Sequence, residues 1–114
     1  MAEGEGMKEE QELEERAALR SVDPDRLLDG EDPGTRYVED AAHWITVYSE
    51  LVLFKERLVD TASEALRNMT EAHARDEVGK TDLMVLTAER DRLKRRLDYW
   101  KERQRELGTR RRKS

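Results

Sequence analysis

No proline follows Pro33, and apolar residues then recur every seven positions: Trp44, Leu51, Leu58, Ala65, Ala72, and again Leu86, Leu93, Trp100 and Leu107. A long proline-free stretch with this period favours helices packed along a seam. Composition agrees. Six Gly and two Pro leave few breakers for a turn-rich β fold, and a charged fraction of 43% suits helices with wide solvated faces.

The punctuation sets the expected boundaries. Asp32-Pro33-Gly34 restarts the chain, with Asp32 or Thr35 as the cap of a helix running from about residue 35 to 76. Its apolar positions cover about half the helical circumference, more than one partner helix conceals. Gly79 suits the residue just past a helix end, and Thr81 or Asp82 suits the next N-cap. The second helix is then expected over 82–107, with Gly108 ending it. A turn centred on Gly79 would pair residues whose numbers sum to about 158: Leu51 with Leu107, Leu58 with Trp100, Ala65 with Leu93, and Ala72 with Leu86. The rival is one unbroken helix, since the series stays in phase through Gly79, but that buries Gly79 and Asp76 in its seam.

Charge is unevenly spread. Residues 1–43 carry 14 acidic and 5 basic side chains, a net of −9. Residues 90–114 carry 4 and 12, a net of +8, within a chain of net charge −5. This polarity implies contact between the ends or an electrostatic partner. Residues 1–31 read as an acidic, flexible arm with a thin apolar set, and 109–114 as a basic flexible tail. Asp23-Pro24 can start a short helical turn and Gly30 can stop it, leaving Leu27 and Leu28 to make an ordering contact.

Few residues point to chemistry. Ala74–Thr81 loosely fits a phosphate-binding loop, but no apolar strand precedes it and no βαβ unit surrounds it. Glu39, Asp40 and His43 share a helical face, and His73 has Asp76 and Glu77 nearby. The paired Glu-x-x-His motifs of helical di-metal sites are missing. No Ser or Thr of the long helix has a His placed to act as its base. The expectation is no enzyme, no cofactor and no metal. The chain has no cysteine, and its longest apolar run, Leu51–Phe54, is far too short to span a bilayer. A cytoplasmic protein without membrane contact is expected.

Two surfaces stand out. Trp44, Ile45, Tyr48, Val52, Val59 and Leu66 lie where one antiparallel neighbour would leave the first helix uncovered, and are the expected protein interface. Arg92, Arg95, Arg96, Arg103, Arg110, Arg111 and Arg112 are the candidate contacts for an anion or an acidic partner. Ion pairs such as Glu89 with Arg92 are expected along the second helix.

The expected fold is therefore all-α: a long antiparallel, coiled-coil-like helical hairpin within residues 32–108, dimerising into a four-helix bundle. The expected function is a non-enzymatic protein–protein interaction module, a scaffold, adaptor or regulator, with itself and another protein as partners. The alternative is a nucleic-acid-associated or transcription-machinery-binding regulator using the basic C-terminal helix, with a small anionic ligand as a further option. In general look, an Arg/Glu-rich hairpin with charged tails resembles small bacterial coiled-coil regulators such as anti-sigma factors, and such a resemblance implies a partner in the transcription machinery.

Overall fold

The computed structural model describes residues 9–10, 12–18, 22–69 and 79–113, with backbone alone for Lys80 and 111–113. No strand occurs among these residues. Two long helices dominate, α1 over Val38–Arg67 and α2 over Lys80–Lys113, and they pack against each other. Residues 12–18 form a further short helical segment.

The chain is a hairpin and not one unbroken helix. Trp44 stacks on Trp100 with ring centroids 6.4 Å apart. Lys55 pairs with Glu89, and Leu66 lies against Gly79. In these three contacts the numbers sum to 144 or 145, so the helices run antiparallel. The expected register summed to about 158. Leu58 does not face Trp100, nor Leu51 Leu107, nor Ala65 Leu93; Ala72 lies outside the described residues. The shift is close to two heptads, and so the expected stripe of α2 is still the buried one: Leu93, Trp100 and Leu107 are all in the core. On α1 the seam is turned. Ala41, Tyr48, Val52 and Val59 are its buried residues, while the series through Leu51 and Leu58 stands at its edge, half-buried.

The helix ends differ from the expected ones. α1 begins at Val38 behind an extended Tyr37, with no side chain capping it directly. Thr35 and Asp32 act one step earlier. The Asp32 carboxylate accepts the Gly34 N–H at 3.0 Å, and the Thr35 hydroxyl accepts the Tyr37 N–H at 3.2 Å while donating to Asp40 at 2.6 Å. Glu39 and Asp40 in the first turn suit the positive end of the helix dipole. α1 closes at Asn68, whose N–H donates to the Glu64 carbonyl. Gly79 directly precedes α2 and does not end α1. A Cβ there would lie 2.7 Å from Leu66 side-chain atoms, so glycine permits a close helix approach. The connection at 70–78 lies outside the described residues. Gly108 does not end α2, which runs on to Lys113 through the expected tail.

Candidate functional site

Residues 22–37 belong to the folded body. They run along one side of α2 as a strap, and Glu31 fastens it. Gly30 has φ +82°, the left-handed backbone that suits the third position of a turn over Leu28–Glu31. That turn is closed by the Glu31 N–H donating to the Leu28 carbonyl at 3.0 Å. It delivers a carboxylate, its side chain fully buried, to the line where the two helices meet.

Four donors converge on Glu31. One oxygen accepts the Tyr48 hydroxyl and, at 2.9 Å, the Leu28 N–H. The other accepts Arg96 and, at 2.7 Å, the Trp100 indole N–H. A carboxylate offers about four lone-pair sites, so its acceptor capacity is filled. Burial alone would raise the Glu31 pKa. The bonds from Arg96, Tyr48, the Leu28 N–H and Trp100 outweigh it and hold the group below the usual carboxylate value. Tyr48 responds oppositely: burial, then its bond to the anionic Glu31, pushes its hydroxyl up to about 12. Burial would lower the Arg96 pKa, but its bonds to Glu31 and Tyr48 raise it on balance.

A row of side chains on α2 extends the fastening. Arg92 donates to the Arg26 carbonyl at 3.3 Å, Tyr99 to the Pro33 carbonyl, and Arg103 to the Thr35 carbonyl at 2.8 Å. Arg96 also lies over the Tyr99 ring, 4.8 Å from its centroid. Positions 92, 96, 99 and 103 step by four, three and four, one face of a helix. Leu28 packs on the core, as Trp44 and Ile45 do.

Hairpin and strap together occupy much of both expected surfaces. Tyr48, Val52 and Val59 are buried within one chain, and Trp44, Ile45 and Leu66 are half-buried. They form the intrachain seam and its border. Of the expected anion contacts, Arg92, Arg96 and Arg103 are engaged by the strap, and Arg103 also pairs with Glu106 at 3.2 Å. Arg95 is exposed beside a shallow depression lined by Val22, Pro24 and Ala88, and Arg110 is exposed. The side chains of Arg111 and Arg112 lie outside the described residues. Glu89 pairs across the hairpin with Lys55, not with Arg92.

What remains partly open is a second apolar stripe on α1, whose Leu51 also packs against the hairpin core. Val47, Leu51, Phe54 and Leu58 step by four, three and four, the spacing of a coiled-coil seam. Phe54 is 56% exposed, and Val47, Leu51 and Leu58 are half-buried. On a helical wheel this stripe stands roughly 110° from the seam at Ala41, Tyr48, Val52 and Val59. Glu50 and Arg57 flank it, both exposed and without an ion pair among the described residues.

Among the described residues, no group of three or more His, Asp or Glu side chains could hold a metal, and no helix is long and apolar enough to cross a membrane. The His73 cluster and most of the Ala74–Thr81 string lie outside them. Comparison with known proteins gave no match to a family model, a curated protein or a solved structure.

Proposed function

We propose that this chain is a non-enzymatic protein-interaction module that binds through the outer stripe of α1. The observation that supports this is the exposure of Phe54 in the middle of a heptad-spaced run, Val47, Leu51, Phe54 and Leu58. Its own hairpin and strap already fill the other seam. Phe54 leaves over half of its surface in water, and covering that remainder against another helix is worth about half of the roughly 1.5–3 kcal/mol of a full burial. Aromatics placed this way are common anchors of interfaces.

The basic helix supports the nucleic-acid alternative less well, because three of its seven candidate arginines are directed inward to the strap. The depressions beside Arg95 and Arg105 are shallow and open, and the charged side chains at the first, Asp91, Lys94 and Arg95, are exposed, which favours a binding role.

The test is Phe54→Glu. Because Phe54 is exposed, helix content by circular dichroism should stay at the wild-type level. Retention of any partner that the wild-type protein retains in a pull-down should be lost. Unchanged retention would remove the stripe from the binding surface.

A further inference from the structure

We propose that the occupant of this stripe is a second copy of the same chain, lying antiparallel along α1 across a two-fold axis near residue 53. The inference rests on the stripe being a binding surface and adds what binds there.

Three observations point to a self-pairing helix. The first is length. α1 runs from Val38 to Arg67, so its midpoint falls between residues 52 and 53. Antiparallel copies that overlap completely, over about 45 Å at 1.5 Å per residue, pair residues whose numbers sum to about 105. The second is apolar complementarity in that register. Leu51 meets Phe54 of the second copy, and Val47 meets Leu58, each pair occurring twice by symmetry. The strongest apolar residues of the stripe are thereby grouped at its centre.

The third is charge. In the same register Glu50 lies beside Arg57 of the second copy, and Arg57 beside its Glu50, giving two opposite-charge pairs along the seam. A parallel pairing would instead set Glu50 against Lys55 of the other copy and Arg57 against Ala62. Lys55 is already paired with Glu89 in its own chain, so the parallel arrangement has no free cation for Glu50. Glu50 and Arg57 have no ion pair among the described residues, and the two-fold antiparallel arrangement satisfies both. The hairpins would lie on opposite sides of a four-helix assembly, with the two α1 helices at its centre.

Charge reversal at the flanks reads the register directly. Sedimentation equilibrium of the full chain across a micromolar concentration series should give a mass approaching twice 13.4 kDa. Glu50→Arg alone and Arg57→Glu alone each turn two attractions into two repulsions, and each should weaken dimerisation on the order of tenfold or more. The double variant Glu50→Arg/Arg57→Glu restores both pairs and should return to within about threefold of the wild type. Both positions are exposed, so the fold is not at stake. A concentration-independent monomer overturns the proposal, and so does a dimer whose double variant is as weak as the single ones. Failure of the underlying reading is distinguishable. A monomer that retains a foreign protein in a Phe54-dependent manner loses only the self-pairing, whereas a monomer with no Phe54-dependent binding loses both.

Discussion

Glu31→Gln is the sharpest perturbation of the folded body, because it changes one atom of a fully buried side chain and barely changes its volume. The wild-type carboxylate accepts from Tyr48, the Leu28 N–H, Arg96 and Trp100. An amide keeps one acceptor oxygen and replaces the other with an NH2 donor. With its NH2 toward Arg96 and Trp100 it faces two donors; turned the other way it faces the Leu28 N–H, the Tyr48 hydroxyl being able to rotate and accept, and in either orientation the charge of Arg96 loses its counter-ion. Leaving a buried neutral donor without a partner costs about 1–3 kcal/mol. Stranding a buried charge, here Arg96, costs about 3–5 kcal/mol when nothing relaxes. These penalties overlap, since one movement of the strap relieves both. A loss of about 2–4 kcal/mol is therefore expected. That is a large part of the roughly 5–15 kcal/mol that holds an ordinary domain together. Urea titration followed by far-UV circular dichroism and tryptophan fluorescence measures it, with Trp100 reporting on the site itself. The double variant with Arg96→Met removes the stranded charge and should recover at least about 1 kcal/mol of the sum of the single losses. If Glu31→Gln unfolds within about 0.5 kcal/mol of the wild type, the strap is not fastened by this carboxylate and the reasoning fails.

Other predictions follow from the same geometry. Unfolded Glu31 takes up a proton near 4.5, before the folded group does, so stability should fall as pH drops through 4.5. Unfolded Tyr48 loses its proton near 10 and the folded group only at about 12, so stability should also fall as pH rises through that interval, and Tyr48→Phe should remove this alkaline loss. Flat stability across either interval, measured by thermal melts, would contradict these assignments. Gly108→Ala should stabilise by up to about 1 kcal/mol, because Gly108 lies inside α2 with open space where a Cβ would sit; a lower melting temperature would mean that the helix ends there. Gly79→Ala should cost about 1–3 kcal/mol through overpacking against Leu66, with no propensity gain because the residue precedes α2. A melting temperature equal to or above the wild type would show that Leu66 yields freely.

Much of the fold is legible in the sequence, for reasons that also explain what is not. The proline-free run and the seven-residue period require long helices, and Leu93, Trp100 and Leu107 mark the buried stripe of α2. The register is another matter. A heptad pattern fits its partner equally well after any shift of whole heptads, so periodicity alone does not choose between sums of 144 and 158. The choice is made by contacts that the period does not rank: the stack of two members of the series, Trp44 and Trp100, and Glu31 bridging Tyr48, Arg96 and Trp100. The strap is legible only in part: Leu28 makes the ordering contact expected of the Asp23–Gly30 stretch, whereas Glu31 escapes because an acidic stretch reads as solvated. Yet Tyr48 and Trp100, aromatics with polar ends on apolar stripes, need acceptors once buried. Arg92, Arg96, Tyr99 and Arg103 on one face of α2 form a donor row that some other segment must answer. Glu31, set after Gly30 and close to Leu27 and Leu28, is such a segment. The series through Leu51 and Leu58 reads as the hairpin seam for the same reason as the register, and the structure leaves it at the edge, half-buried.

The most direct measurement of the central claim is site-specific photo-crosslinking in cells, with a benzophenone amino acid replacing Phe54 in one variant and exposed Asp98 in another. Asp98 lies on the outer face of α2, away from both the stripe and the strap. Binding along the outer stripe gives a discrete crosslinked product from position 54 and none of comparable yield from position 98. No product at 54, or equal products at both positions, would contradict the claim that the chain meets its partner along the outer stripe of α1.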